Sequence, residues 1–229
     1  GYFWGYKTAG IFQNTQEIDE WRAAGNGILQ SNVQPGDVRF VDRNHDGQIN
    51  DKDKVNLGNG TPDFTLGLNL GFVYKGFDFS IVANGAFGQQ IVQSYRNHTR
   101  PTPNYTTAIL DRWHGEGTSN RIPRVTDSNI NYQFSDLFIQ NGDYLRLSTL
   151  TLGYDFAKLF KGKAVSQARL YFQVQNLFII TGYDGMDPEI GFGSSNNSWV
   201  SGLDYGYYPR PRTCLLYTSP SPRDGLLSR

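Results

Sequence analysis

Residues 64–74 read FTLGLNLGFVY, and this stretch decides the fold. Large apolar side chains recur at every second position, and Thr65, Gly67, Asn69 and Gly71 stand between them. Such alternation predicts a β-strand with one apolar and one largely polar face. After Lys75-Gly76 the pattern resumes over residues 77–87, FDFSIVANGAF. Two alternating runs around a two-residue connection that contains Gly predict a β-hairpin.

Two further segments, residues 144–156 and 168–178, predict a third and a fourth strand. The third changes phase near Ser148-Thr149, which indicates a β-bulge. The fourth has a face of Arg169, Tyr171, Gln173 and Gln175, which is too polar for the core of a sandwich. One short helix is predicted over residues 16–24, with Asn14-Thr15 before it as caps and Gly25 after it.

The lengths of strands and connections favour a membrane barrel. Each run of the hairpin has 11 residues, and a tilted strand needs roughly 9 to 11 residues to cross a bilayer. The connections at 75–76 and 157–167 are short, whereas residues 88–143 and the chain from 179 onward are long and rich in Asn, Gly, Pro and Ser. Short turns at one rim and long loops at the other are typical of outer-membrane barrels. We therefore predict an all-β fold, a partial transmembrane β-barrel with long extracellular loops.

Composition excludes several classes of protein. The 21 basic residues balance 21 acidic ones, so no nucleic-acid partner is expected. No apolar stretch approaches the roughly 18 residues of a membrane-spanning helix. The single cysteine, Cys214, excludes an internal disulfide and a Cys-based zinc site. The first residues, GYFW, contain neither Met nor a signal-peptide pattern, and we expect the chain to be a fragment.

Motifs for catalysis are missing from the sequence, which predicts that the chain is not an enzyme. It contains no Gly-x-Ser-x-Gly elbow, His-Glu-x-x-His pair or phosphate-binding Gly-Lys-Ser/Thr loop. Asp184, Asp187 and Glu189 could mimic the carboxylate pair of a glycosidase. Because they lie in a Gly/Pro-rich loop, we interpret them as solvated loop acids. Residues 191–195, GFGSS, half resemble a dinucleotide loop, and a flexible loop is the favoured interpretation.

Aromatic side chains in the long loops have two interpretations. They could stack on sugar rings or contact a partner protein, or they could fill small cores of the loops or line the barrel mouth. The second interpretation is favoured. The residues concerned are Trp113, Tyr183, Trp199, Tyr205, Tyr207 and Tyr208.

Residues 42–53, DRNHDGQINDKD, follow the spacing of an EF-hand-type calcium loop. Gly47 stands at the sharp turn, and position 12 is Asp in place of the usual Glu, which shortens the ligand's reach. No strong flanking helices are predicted, so this is a loop site for Ca²⁺ and not a paired sensor. The alternative is a plain Asp/Asn/Gly turn whose side chains cap main-chain groups. The predicted metal ligands are Asp42, Asn44, Asp46, Gln48 through its carbonyl, Asn50 and Asp53.

Short motifs in a fixed order resemble the SusC/RagA family of TonB-linked outer-membrane proteins. Each motif alone is weak, and the ordered series from residue 5 to residue 213 is specific. Besides the calcium-type loop, the series comprises GYKTAGIF (5–12), PGDVRF (35–40), LGNGTPDF (57–64), YKGFD (74–78), DYLRL (143–147), TLGY (151–154), QNLF (175–178), YDGMDPE (183–189) and YGYYPRPRT (205–213).

The resemblance implies that residues 1–213 are the C-terminal part of a barrel of roughly 22 strands. In that family the barrel imports oligosaccharides or peptides across the bacterial outer membrane. Energy arrives through the TonB complex, and a SusD-like lipoprotein caps the outer mouth. The implied partners are therefore these two proteins, the transported substrate and outer-membrane lipid. With open strand edges in lipid, the chain alone is expected to aggregate.

Residues 214–229 are expected to be a non-biological tail. Residues 214–224, CLLYTSPSPRD, match codon by codon the translation of a common transposase sequencing adapter. An ordinary polar tail is the alternative. In the resembled family a final strand ending in an aromatic residue follows at this point and closes the barrel.

A second functional hypothesis is a secreted, calcium-stabilised β-domain that binds glycans through its loop aromatics. The two hypotheses differ in the row Phe64, Leu66, Leu68, Leu70 and Phe72. In a transporter this row faces lipid, whereas in a secreted module it is buried against a second sheet.

Overall fold

The computed structural model describes residues 1–29, 31–94, 107–126, 129–156, 168–190, 201–206 and 208–218. These residues belong to two compact units: residues 1–61, 90–141 and 190–206 in unit 1, and residues 62–89, 142–189 and 207–229 in unit 2. In chain order the elements are β1 (Tyr2–Gly5), β2 (Thr8–Ile11), α1 (Thr15–Ala23), β3 (Val38–Phe40), β4 (Val55–Asn59), β5 (Phe64–Tyr74), β6 (Phe77–Phe87), β7 (Gln90–Gln93), β8 (Ile139–Asn141), β9 (Tyr144–Asp155), β10 (Arg169–Thr181), β11 (Leu203–Asp204) and β12 (Thr213–Thr218).

Unit 2 is a five-stranded antiparallel sheet in the order β12-β10-β9-β6-β5. The predicted hairpin is confirmed residue for residue, since β5 pairs with β6 from Phe64↔Phe87 to Tyr74↔Phe77. Its turn residues Lys75 and Gly76 both have positive φ, 48° and 95°, as a two-residue hairpin turn with the right twist requires. The predicted connection over residues 157–167 lies outside the described residues.

The third and fourth strands are confirmed with slightly different ends, and the predicted bulge is present in the third. Between β6 and β9 the pairing passes from Val82↔Thr149 to Ala83↔Leu147, so Ser148 is the extra residue of the predicted bulge. Strand β10 runs on to Thr181, beyond the predicted end at residue 178. Its pairing with β9 shifts register between Gln175 and Phe178, next to Asn176, whose φ is 52°.

The apolar row of β5 is exposed along its whole length. Exposure of Phe64, Leu66, Leu68, Leu70 and Phe72 ranges from 42% to 59%. A sandwich would bury these side chains against a second sheet, so the exposure favours the first of the two functional hypotheses.

Aromatic pairs lie at both ends of the hairpin. The rings of Phe64 and Phe87 stack with centroids 4.8 Å apart, at the ends of β5 and β6 remote from the turn. Next to the turn, the ring centroids of Phe77 and Tyr154 are 4.4 Å apart. Outer-membrane barrels carry aromatic girdles at both membrane interfaces, with an apolar band between them.

Unit 1 contains small sheets and cores, some of which lie in the predicted long loops. Strand β1 pairs with β4 and β2 pairs with β3, while β11, β7 and β8 form a three-stranded sheet. Among the described residues of this unit, three small clusters of side chains are buried: Tyr6, Val38, Phe40 and Ile49; Phe12, Ile18, Val33 and Ile130; and Phe3, Leu57 and Val92. The segment over residues 88–143 is therefore not only a connection between strands.

The predicted short helix is confirmed as α1, one residue earlier than expected. Asn14 caps it, because the side-chain oxygen of Asn14 accepts a hydrogen bond from the Glu17 main-chain N–H at 2.9 Å. Ile18 is the buried residue of this helix. In the part of the chain that the structure describes, no helix has the length and apolar character needed to span a membrane.

Candidate functional site

The loop over residues 42–53 follows β3 and leads into β4. It ends in a single 3₁₀ turn, Asp51–Asp53. Gly47 has φ 79° and His45 has φ 57°, so the chain reverses sharply in the left-handed region at the position where the calcium-loop pattern places Gly.

Main-chain amides inside the loop are bound by its own acidic and amide side chains. Oδ2 of Asp42 accepts a hydrogen bond from Gly47 N–H at 2.8 Å. Oδ1 of Asn44 accepts from Asp46 N–H at 3.0 Å, and Oδ1 of Asp46 accepts from Gln48 N–H at 3.0 Å. These bonds fold the side chains of all three residues back onto the main chain of the loop, with Asp42 buried and Asn44 and Asp46 exposed.

Asn50 and Asp53 serve the main chain at the end of the loop. Oδ1 of Asn50 accepts from Lys52 N–H at 3.0 Å, and Oδ2 of Asp53 accepts from Asn50 N–H at 2.8 Å, which together form a capping box. Oδ1 of Asp53 accepts from Arg43 N–H at 2.9 Å. Asp53 is fully buried, and both of its oxygens are used in this way.

One carboxylate oxygen in the loop has no partner among the described residues. Asp42 is 1% exposed, and its Oδ1 is buried without a hydrogen-bond partner. An unsatisfied buried polar atom is costly, and an ion or a water that completes the site is a common explanation. In the described residues no three acidic, His or Cys side chains are grouped as metal ligands; the loop instead combines the carboxylates of Asp42 and Asp46 with the amide of Asn44.

The electrostatics of the loop keep Asp46 charged. A hydrogen bond from the Asn44 amide, with Nδ2 2.8 Å from Oδ2 of Asp46, is the main cause that lowers the pKa of Asp46. Asp46 is exposed, so this carboxylate is open to solvent.

Two contacts join the loop to the rest of unit 1. The side chain of Ile49 is buried in the cluster with Tyr6, Val38 and Phe40. Gly27 lies against the main chain of Gln48, where a Cβ atom on Gly27 would come within 2.6 Å of the Gln48 carbonyl carbon. The main chain at Gln48 is therefore fixed by its close packing against Gly27 and by the burial of the next residue, Ile49.

A buried ionic cluster in unit 2 corrects the interpretation of two loop acids. Asp187 and Glu189 are not freely solvated loop acids, because their side chains are only 10% and 24% exposed and both contact Arg146 of β9, which is 4% exposed. Nη2 of Arg146 donates to Oδ1 of Asp187 at 2.6 Å, and Nε lies 3.0 Å from Oε2 of Glu189 as an ion pair without hydrogen-bond geometry. Oε1 of Glu189 lies 3.0 Å from Nη2 of Arg210. The two carboxylates are neutralised by two guanidinium groups.

Sequence reasoning missed Arg146 and Arg210. Arg146 gave one signal, a charged residue within an alternating strand. The bulge at Ser148 turns Arg146 to the same face as Asn84, its cross-strand partner. Such a residue needs a counter-charge when it is buried.

The loop aromatics in the described residues differ in burial. Trp113 is half-buried and packs on Gly36, and its Nε1 donates to Oε1 of Gln13 at 3.2 Å. Tyr183 is buried, whereas Tyr205 and Tyr208 are exposed. Trp199, Tyr207 and the predicted flexible loop at 191–195 lie outside the described residues.

Comparison with known proteins gives consistent relatives. No protein-family model matches the chain. It is 33% identical over 224 residues to TonB-dependent receptor P3 of Formosa agariphila, covering 93% of the chain and 21% of that protein. It is 31% identical over 191 residues to TonB-dependent receptor SusC of Bacteroides thetaiotaomicron, covering 82% of the chain and 18% of SusC. The chain thus spans about a fifth of the length of these relatives.

Solved structures share its fold. The RagAB peptide transporter matches with a TM-score of 0.64 at 20% identity, covering 94% of the chain and 22% of the transporter chain. The RagAB importer in its open-open state matches with a TM-score of 0.62 at 19% identity, with the same coverage. The five-stranded sheet is accordingly part of a β-barrel. On this fold and these relatives, the chain belongs to the SusC/RagA-like TonB-dependent receptors of the bacterial outer membrane.

Proposed function

We propose that the chain is part of an importer that carries oligosaccharides or peptides across the outer membrane. The observation that supports this most is the exposed apolar row of β5, which runs the full length of an 11-residue strand. Water disfavours such a surface, whereas the hydrocarbon of a bilayer accepts it. The relatives are named as TonB-dependent receptors, and RagAB is named as a peptide transporter.

The opposite face of the sheet supports a water-filled or protein-filled interior. Its central positions include the uncharged polar side chains of Ser80, Thr151 and Gln173, which are paired directly across β6, β9 and β10. Asn69 of β5 lies on the same face, opposite Val82. A lipid-exposed apolar face and a polar inner face alternate in membrane barrels. The glycan-binding secreted domain requires the first face to be covered and is therefore the weaker candidate.

The proposal includes two partner proteins. Within the complete receptor, a SusD-like lipoprotein is proposed as the partner at the outer mouth, and the TonB complex as the source of energy. No catalytic role and no nucleic-acid partner are proposed.

The orientation of the sheet is testable with single cysteines introduced into an otherwise cysteine-free variant of the full-length receptor. Leu68→Cys, labelled with a fluorophore, is expected to be quenched by nitroxide-bearing lipids and shielded from an aqueous quencher. Asn69→Cys is the matched control on the other face and is expected to show the opposite pattern. Equal aqueous quenching of both labels would contradict a membrane-facing row.

Transport itself needs a separate experiment. Cells that carry the full-length receptor together with its proposed SusD-like lipoprotein are offered fluorescent oligosaccharides and peptides, with and without an uncoupler of the inner-membrane proton gradient. Energy-dependent uptake of one substrate class supports import and names the class. If neither class enters in an energy-dependent way, the import proposal fails even when the membrane orientation is correct.

We further propose that residues 214–229 are not part of the natural protein. In the structure Thr213–Thr218 pair with β10, but the main-chain groups that form such a pairing are carried by every residue except Pro, so the pairing does not identify the natural sequence. Sequencing the source DNA across the codons of Thr213 and Cys214 tests this proposal. A different continuation after Thr213 is expected, and recovery of the same codons in independent long reads would overturn it.

A further inference from the structure

We propose that Asp42, Asn44, Asp46 and the main-chain carbonyl of Gln48 bind one calcium ion, while Asp53 holds the loop in shape without contacting the ion. This inference does not depend on transport. It also narrows the ligand set suggested by the sequence pattern, because Asn50 and Asp53 form the capping box at the end of the loop. Asp42, Asn44 and Asp46 instead bind amides of the turn around Gly47, where Oδ1 of Asp42, unpartnered among the described residues, is the free donor atom.

The buried oxygen of Asp42 is the observation that points to a ligand. Its sister oxygen Oδ2 is fixed by Gly47 N–H, so the carboxylate lies inside the loop and Oδ1 is held close to the same place. With Asp42 at 1% exposure, Oδ1 has neither solvent nor a hydrogen-bond donor from the described residues. A cation inside the loop supplies the missing partner for this charge.

The donor atoms decide the kind of cation. All of them are oxygens, from two carboxylates, one amide and one carbonyl, and hard cations such as Ca²⁺ and Mg²⁺ prefer oxygen. Mg²⁺ demands a near-ideal octahedron and keeps much of its water, whereas Ca²⁺ accepts an irregular loop. Asp53, at position 12 of the loop, binds main-chain amides and not the ion. We therefore expect a calcium dissociation constant in the weak range of extracellular calcium modules, on the order of 0.1 to 1 mM.

Asp53 joins the two ends of the loop, a structural role that the ion shares in other calcium loops. Its carboxylate binds Arg43 N–H at one end of the loop and Asn50 N–H at the other, so it joins the two ends without a metal. The loop is thereby preorganised, and the ion adds the inner contacts. Since Ile49 of the same loop is buried beside Tyr6, binding is expected to stabilise this cluster of unit 1.

The first test is calorimetry on the full-length receptor in detergent, after chelation, with calcium chloride and separately magnesium chloride as titrants. Asp46→Asn removes the charge of one ligand. Because the side chain is exposed, the variant is expected to fold. We expect it to bind calcium about tenfold or more weakly than the unaltered receptor. Asp51→Asn is the matched control: it makes the same charge change in the same loop, at an exposed side chain paired with Lys54. It is expected to leave the affinity within about twofold.

Three results would overturn the proposal: no saturable calcium binding below about 10 mM, equal affinities for the Asp46 variant and the unaltered receptor, or equal losses in both variants. The role of Asp53 is tested with Asp53→Asn by thermal unfolding in chelator. A lower midpoint in chelator supports the positioning role, whereas an unchanged midpoint combined with lost calcium binding would make Asp53 a ligand.

Discussion

Replacement of Arg146 by methionine tests the buried ionic cluster. Met retains much of the length and apolar stem of Arg, so the change removes the guanidinium with a small loss of packing. Asp187 and Glu189 then share a largely buried site with only Arg210 as a counter-charge. We expect the Arg146→Met receptor to fold less stably than the unaltered one.

The magnitude follows from burial. Removal of one partner from a buried ion pair costs about 3 to 5 kcal/mol. The side chains of Arg146 and Asp187 are 5% and 10% exposed, which places this pair in the buried class, but that of Glu189 is 24% exposed and is partly stabilised by water. We therefore expect the lower end of the range, about 3 kcal/mol. Arg210 is 55% exposed at its side chain, so Arg210→Gln is expected to cost about 1 kcal/mol or less.

The assay is urea unfolding of the full-length receptor in detergent, followed by the loss of its heat-modifiable band on gels. Arg146→Lys is a second control, since it keeps the charge and loses the two-pronged contact; it is expected to fall between the unaltered receptor and Arg146→Met. An Arg146→Met receptor as stable as the unaltered one, or an Arg210→Gln receptor equally damaged, would refute the reasoning from burial.

Three further changes test other parts of the chain. Leu70→Arg, on the exposed apolar row, is expected to destabilise the inserted barrel by about 2 to 4 kcal/mol, and Asn69→Arg on the opposite face by much less; equal effects in an unfolding titration would argue against lipid at the row. Gly27→Ala would press a Cβ against the Gln48 main chain, and calorimetry is expected to show weaker calcium binding; unchanged affinity would remove the Gln48 carbonyl from the site. Gly76→Ala, at φ 95°, is expected to cost about 1 kcal/mol, and an unfolding midpoint equal to that of the unaltered receptor would contradict the strained turn.

The hairpin was predictable because its causes are local. Alternation with a period of two and a Gly-containing turn fix both strands and their register, and β5 and β6 have the predicted ends. The helix after Asn14 has the same kind of local cause, a capping side chain. The inner structure of unit 1 was not predictable, because its small clusters join residues far apart in sequence, such as Phe12 and Ile130.

For the loop over residues 42–53, too, one part could be predicted from the sequence and the other part required the structure. Spacing alone identified the acidic and amide residues and the sharp turn at Gly47. It could not assign separate roles, because Asp42 and Asp53 are the same residue type. The fold separates them: both oxygens of Asp53 meet main-chain amides, whereas Oδ1 of Asp42 is buried without a partner among the described residues.

The sequence by itself predicted four of the five strands of the sheet, the apolar face of the hairpin and the calcium-type loop, since each depends on residues close together in the chain. Only the tertiary structure decided which charged residues are buried and with which residues they pair. Arg146 and Asp187 are 41 positions apart, and no pattern in the sequence links them. Antiparallel pairing and the bulge at Ser148 fix the face on which Arg146 lies, and burial then makes a counter-charge necessary, because an unpaired ion in a low-dielectric interior is too costly to keep.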